Sequence, residues 1–311
     1  MALDKQIYFL SDFHLGVPDH ASSVAREKRI VGFLEEASAN ATEIHILGDL
    51  FDMWFEYKQV VPRGFTRLLG KLSELHDRGI SVHIHIGNHD MWAFDYLPKE
   101  TGATLHQEPI VREWNGKRVY IGHGDGLGPG DHGYKFIKKV FRNPVMQWCF
   151  ARLHPNFGLG LAHFWSGRSR KKNYENDRQW LGDDQEWLVQ YCREILKKEH
   201  YDYFVFGHRH LPVDMELVTA GASRSASRDL DGTIDPAVTS GIRYKRAPAE
   251  ANDTRYKRAS AEGTNAHYIN LGDWITHFTY AVLDEGGMRL MKRSNTERFA
   301  DDVRILGGPA V

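Results

Sequence analysis

Cysteine is nearly missing from this chain: there are two, Cys149 and Cys192, in 311 residues. They form no C-x-x-C pair and cannot supply a disulfide framework, which points to a reducing compartment. An excess of one charge is missing too. Lys and Arg total 40 against 41 Asp and Glu, a balance that excludes a globally basic nucleic-acid binder. No uninterrupted run of roughly 18 apolar residues occurs, so no membrane-spanning helix is expected. The first ten residues lack an apolar segment behind a basic one, so no secretory signal is expected either. What remains is a soluble globular composition, 41% hydrophobic and 26% charged, in a chain long enough to bury a substantial core. One residue type is abundant. There are 17 histidines, and their positions carry the reading.

The first half alternates short apolar runs with helical periodicity. Ile7–Leu10, Glu43–Leu47, Ser81–Ile86, Tyr203–Phe206 and Tyr268–Leu271 read as strands. Arg26–Ala37 and Phe65–Leu75 set their apolar side chains on one helical face, and a third helix is read near Gln185–Lys197. Arg112–Ile121 reads as a hairpin turning at Asn115-Gly116, and Phe278–Lys292 as another turning at Gly286-Gly287. Strand–helix–strand order predicts parallel pairing with helices outside, to which the hairpins add antiparallel strands. The expected fold class is a mixed, layered α/β domain.

Two segments break this rhythm. Between Gly133 and Trp180 stand ten basic residues against two acidic ones, an excess of eight, interleaved with Phe136, Phe141, Trp148, Phe150, Phe157, Phe164 and Trp165. Pro144 predicts a helix start there. Aromatic stripes at helical spacing are usually core, so a plain helical pair with a solvated basic face is the simplest account. The second segment, 219–266, is polar and rich in Gly, Ser and Ala. It holds a short duplication, Arg243–Glu250 recurring as Arg255–Glu262, and reads as a surface loop expanded by repetition.

Five strand ends deliver metal-ligand residue types: Asp12-Phe13-His14, Gly48-Asp49-Leu50-Phe51-Asp52, Gly87-Asn88-His89-Asp90, Gly122-His123-Gly124-Asp125 and Gly207-His208-Arg209-His210. Sites in open α/β sheets form beyond the carboxyl ends of the strands, so these residues are expected to converge. Residues two apart on extended chain point the same way, and glycine before a ligand lets the backbone approach a metal or phosphate. Imidazole, carboxylate and amide donors without thiolate suit Mn²⁺, Fe²⁺ or Zn²⁺ in a reactive site more than a structural zinc. Any one piece is weak; G-D-x-x-D alone suits a turn with a helix cap. All five in this order are a strong joint signal. His45, His76, His83, His85 and His106 read instead as hydrogen-bonded surface residues.

The order D-x-H, G-D-x-x-D, G-N-H-D, H, G-H-x-H resembles the calcineurin-like metallophosphoesterase superfamily, from Asp12 to His210. The resemblance implies an α/β/β/α sandwich and two divalent cations, Mn²⁺ foremost. Asp12, His14, Asp49 and His210 would hold one cation, and Asn88, His123, His208 and the bridging Asp49 the other. His89 would stabilise the transition state or protonate the leaving group, oriented by Asp52. Two adjacent cations acidify water and offset charge on a phosphoryl group in flight.

A narrower resemblance rests on His123–Leu127, Asp131, Tyr134, Arg142-Asn143-Pro144, Arg168–Asn173 and Asn270–Trp274, which look like the UDP-2,3-diacylglucosamine pyrophosphatases of lipid A synthesis. It implies one domain over 1–311 with a helical cap at 127–182 that holds acyl chains; the polar surface-loop insertion at 219–266 is a departure from that family. The resemblance implies substrate contacts at Asn88, Tyr134, Ser169, Asn173 and His208. It also implies a cytoplasmic enzyme, peripheral on an anionic inner-membrane surface, acting on a lipid-linked nucleotide sugar with no nucleic acid partner. The best-known lipid A enzymes have G-N-R-D where this chain has Gly87-Asn88-His89-Asp90, and histidine does not offer arginine's bidentate grip on a diphosphate. Another phosphodiester therefore stays open as substrate, such as a cyclic nucleotide, a different nucleotide sugar or a phospholipid. A metal-free scaffold would show eroded ligands, and none is eroded. A nuclease would use the basic stretch with its aromatics.

Overall fold

The computed structural model describes residues 5–130, 132–173, 180–182, 185–217, 244–246 and 266–293. Two six-stranded sheets face each other. The first runs β12(Gly287–Lys292), β11(Thr279–Asp284), β1(Gln6–Leu10), β2(Ala41–Leu47), β3(Ser81–His85), β4(Thr104–His106). The second runs β5(Ile110–Trp114), β6(Lys117–Ile121), β7(Tyr203–Phe206), β10(Ala266–Leu271), β8(Pro212–Leu217), β9(Tyr244–Arg246). In each sheet the inner strands are parallel: β1 through β4 in the first, β6, β7 and β10 in the second. Both expected hairpins form and pair antiparallel, β5 with β6 and β11 with β12.

Alternation along the strands builds four layers. Outward residues of β2 and β3, Ile44, Ile46, Val82 and Ile84, meet Ile30, Phe33 and Leu34 of α1(His20–Ala37) and Leu68, Leu72 and Leu75 of α2(Thr66–Asp77). Inward residues Ile7, Phe9 and Leu47 meet Val119, Ile121, Val205 and Ile269 of the second sheet. On that sheet's far face Phe204, Phe206 and Tyr268 pack on Leu188, Val189 and Cys192 of α7(Trp187–Leu196). The layered α/β sandwich expected from the sequence is the fold observed.

α1 begins six residues earlier than its apolar period suggests, because Asp19 caps it, its carboxylate accepting from the Ser22 amide at 2.9 Å. The capped first turn needs no apolar stripe. Four short elements were not legible: α3(Tyr96–Thr101), β4, β8 and β9. β9 takes Tyr244–Arg246 out of the expected surface loop and pairs it with β8; the remainder of 219–265 lies outside the described residues.

Residues 132–173 form three helices, α4(His132–Phe141), α5(Pro144–Phe150) and α6(Pro155–Asn173). Asn143 caps α5 ahead of Pro144, accepting from the Val145 amide at 2.9 Å. The aromatics here divide. Phe141 and Phe150 pack on the core, and Trp92 Nε1 donates to the Phe141 carbonyl. Phe136, Val145, Trp148, Phe157 and Phe164 are each exposed by more than half. A plain helical pair with its apolar face in the core would not leave these side chains in water.

Candidate metal centre

Six of the parallel strands, β1, β2, β3, β6, β7 and β10, end in loops that are stitched together. The Asp12 amide donates to the Gly48 carbonyl, the His14 amide to the Asp49 carbonyl, and the Gly207 amide to the His123 carbonyl. Asp90 joins two loops by accepting from the Gly87 and Leu50 amides at 2.6 and 2.9 Å. Five of the ligand-type residues, Asp12, His14, Asp49, His208 and His210, have positive φ, strain that non-glycine residues hold only where surroundings over-determine it. Gly48 turns at φ +84, and two other glycines have a further role. A Cβ on Gly207 would lie 2.5 Å from Asp12 Oδ2, and one on Gly87 would strike the Asp49 side chain. They make room for a ligand from a neighbouring loop.

Two donor groups result. In the first, His14 Nε2 and His210 Nε2 are 3.2 Å apart, and Asp12 Oδ1 lies 3.7 and 3.4 Å from them. In the second, His123 Nε2 lies 3.1 Å from Asn88 Oδ1 and 3.4 Å from Asp49 Oδ2, with His208 alongside. Asp49 Oδ2 is also 3.5 Å from His14 Nε2, so one carboxylate belongs to both groups. Ligands at about 2.0–2.2 Å from a cation stand roughly 3.0–3.5 Å from each other, which is this spacing. Asp12 Oδ1 is buried with no hydrogen-bond partner, an arrangement that costs free energy unless a cation completes it. These residues fit a pair of divalent ions.

Electrostatics agree. Burial works against charge on His14, yet Asp12, Asp52 and Asp49 outweigh it and push the imidazole up to about 10. Burial likewise opposes charge on His123, and Asp49 and Asp12 push it up to about 10. Burial and the neighbouring His123 hold His208 down, at about 4. The first two shifts report a potential negative enough to attract dications.

His89 sits beside the first group, its ring centroid 4.8 Å from that of His14. Its partner differs from the one expected. Nδ1 lies 2.7 Å from the backbone carbonyl of Asp52 and 3.8 Å from the carboxylate. The Asp52 carboxylate accepts instead from Ser166 Oγ of α6 at 3.1 Å, and Ser166 Oγ is 3.4 Å from His89 Nδ1. Tyr134 donates to Asp125 at 2.5 Å, and Lys138 pairs with the same carboxylate at 2.6 Å, docking α4 beside His123. Ser169 and Asn173 lie on α6 where side chains fall outside the described residues.

Three supporting residues escaped the sequence reading. Asp273, after β10, accepts from His210 Nδ1 at 3.3 Å; burial alone would raise its pKa, and His210 holds it well below the usual range. Its signal was present in Leu271-Gly272-Asp273, a repeat of Leu47-Gly48-Asp49. Arg26 reaches from α1 to the carbonyls of Phe13 and His14 at 3.0 and 2.6 Å. Arg209 makes a buried two-point ion pair with Glu186, at 3.1 and 2.6 Å, which anchors the His208–His210 loop to the start of α7. The read of His45, His83 and His85 as surface residues is overturned: all three are buried, and His106 is half-buried against them. They face inward from β2 and β3, where alternation sends every second side chain between the sheets. His76 is exposed as expected.

Residues 5–212 match the calcineurin-like phosphoesterase family. A UDP-2,3-diacylglucosamine hydrolase of Porphyromonas gingivalis is 41% identical over 227 residues, 68% of this chain and 86% of that one. A protein of the same name from Aeromonas salmonicida is 29% identical over 215 residues, 68% and 80% of the two chains. The solved structure of Yfce, a phosphoesterase from E. coli, matches at a TM-score of 0.37 and 14% identity over 90% of this chain and 88% of that one, too distant to bear on the site. The chain belongs to the calcineurin-like phosphoesterase family, where its relatives include UDP-2,3-diacylglucosamine hydrolases.

Proposed function

We propose that this protein hydrolyses the pyrophosphate of UDP-2,3-diacylglucosamine, giving UMP and 2,3-diacylglucosamine 1-phosphate for lipid A synthesis. The observation that carries the reading is the 41% identity with a relative of that name, over 86% of its length. Asp12, His14, Asp49 and His210 would hold one divalent cation, and Asn88, His123, His208 and Asp49 the other, with Mn²⁺ the first choice. The pair supplies Lewis acidity and a more acidic water at neutral pH. Water adds to the uridine-side phosphorus and the bond to the bridging oxygen breaks. The Asp52 carbonyl accepts a hydrogen bond from Nδ1–H of His89, leaving Nε2 to exchange a proton with, or stabilise charge on, the phosphoryl group.

Residues 127–182 would act as a cap. A cavity of about 640 Å³ between core and α6 supports this, lined by Leu15, Val24, Met53, Val61, Pro155 and Leu159, a size suited to a ligand and apolar enough for acyl chains. Tyr134, Ser169 and Asn173 on the same helices would meet the substrate, as would Asn88 and His208. Exposed aromatics beside a basic excess of eight favour contact with an anionic bilayer, and so a cytoplasmic, peripheral location. Among the described residues no helix is long and apolar enough to cross a membrane.

The test is UMP release from UDP-2,3-diacylglucosamine in detergent with Mn²⁺. Rapid, metal-dependent release is expected. Failure by protein that still cleaves an aryl phosphodiester would leave the phosphoesterase and discard the lipid substrate, the outcome His89 in place of arginine would then explain.

A further inference from the structure

Upstream of the strand-end centre the same strands carry a second set of imidazoles. His45 on β2 and His83 on β3 alternate with the outward Ile44, Ile46, Val82 and Ile84, so they share the face of Leu47, a core residue between the sheets. An apolar side chain would pack there at no polar cost, whereas a buried imidazole needs partners. Glu43, two residues before His45, points the same way with its side chain about a quarter exposed.

Glu43, His45 and His83 each place one ligand atom within 4.8 Å of the other two. Glu43 Oε2 is 3.4 Å from His45 Nε2 and 3.7 Å from His83 Nε2. The remaining atoms are held from behind. His45 Nδ1 pairs with His85 Nε2 at 3.2 Å, and His83 Nδ1 with His106 Nε2 at 3.0 Å. Glu43 Oε1 accepts from Trp114 Nε1 at 3.1 Å. Without a cation His45 Nε2 donates to the Glu43 carboxylate; a cation would displace that proton and select the tautomer in which both Nδ1 atoms donate to those outer rings. Outer groups orient metal-bound imidazole and carboxylate in this way.

We propose that Glu43, His45 and His83 form a metal site separate from the strand-end centre, taking one divalent transition cation, Zn²⁺ foremost. Two imidazole nitrogens, one carboxylate oxygen and an open position make a ligand set that zinc accepts. Burial pushes His45 down to about 4 and lowers His83 as well, so both rings are in the neutral form a cation binds. The rings stack 4.5 Å apart at 12°, so binding an ion would require the less buried His83 to turn until the Nε2 atoms reach a coordination edge of roughly 3.3 Å. The ion would clip β2 to β3 and, through Trp114, to β5 of the facing sheet. It would stabilise the fold without entering the reaction.

Full-length protein is stripped with chelator, dialysed against Zn²⁺ alone, and its bound metal counted by elemental analysis. Wild type should hold one equivalent more than either E43Q or H83L, and titration should show that site weakened at least tenfold in E43Q. Glutamine preserves the size of Glu43 and an acceptor for Trp114, so E43Q isolates the lost charge from folding. Both variants should keep the wild-type rate on an aryl phosphodiester. Equal zinc content in wild type and both variants overturns the site. So does a variant that loses hydrolysis while its zinc count stands unchanged.

Discussion

The strand-end loops and the helices of residues 132–173 lie side by side and are built on opposite terms. In the loops, Asp12, Asp49 and Asp273 are almost wholly buried, backbone amides fix the carboxylates, and five residues sit at positive φ. Among the described side chains of the helices few are buried, and large apolar groups stand in water. The loops resemble a preorganised site, where displacement by a fraction of an ångström is expensive. The helices leave large apolar side chains in water without fixing them against the core. One region is over-determined and the other is permissive. Substitutions should therefore act in different currencies in the two.

Asp49→Asn should break the rigid side most completely. It removes the carboxylate common to both donor groups, and activity should fall by more than roughly 100-fold, the upper range for loss of a merely supporting residue. Metal-dependent hydrolysis of an aryl phosphodiester measures it; full activity would remove Asp49 from its shared role. Glu186→Gln removes the carboxylate charge that neutralises buried Arg209, which should destabilise the fold by about 3–5 kcal/mol in denaturant unfolding. A change under about 1 kcal/mol would mean that Arg209 finds another partner.

Asp273→Asn should weaken metal binding about 10–100-fold while the fold persists, because His210 loses the carboxylate that orients it. Equilibrium dialysis against Mn²⁺ reads this directly, and unchanged affinity would reduce Asp273 to a loop staple. On the permissive side, Trp148→Ser should leave hydrolysis of a soluble diester intact. It should lower affinity for anionic vesicles by roughly tenfold, about 1.5 kcal/mol for one large apolar side chain. Reversing the charges of Lys171 and Lys172 should release the protein from vesicles in sedimentation. Unchanged sedimentation by both variants would remove these helices as the membrane contact, and the contrast between the regions would then need another cause.

The same contrast explains what could be read early. The ligand loops were legible because β1, β2, β3 and β7 are short apolar runs that each end in a polar dipeptide, a local pattern. Asp273 stood within Asn270–Trp274, but its role did not show because only the pairing of β10 beside β7 brings it to His210. Arg26 and Arg209 hid because a side chain reaching the carbonyls of another loop and an ion pair across 23 residues leave no local period. The inward histidines were misread for a related reason: alternating with Ile and Val, they look like the wet face of a half-buried strand, and only the facing sheet buries them.

By itself the sequence determined the order of the longer strands and helices, the two hairpins at Asn115-Gly116 and Gly286, and the residue types gathered at the strand ends. Hydrophobic periodicity, turn chemistry and ligand spacing are properties of neighbouring residues. Only the tertiary structure decided that Asp49 lies within reach of both His14 and His123, that His89 is held by a carbonyl rather than a carboxylate, and that Ser166 reaches Asp52. It also decided which face of β2 and β3 is dry. Each of these depends on where distant segments come to rest, and that is set by packing two sheets and their helices around one core.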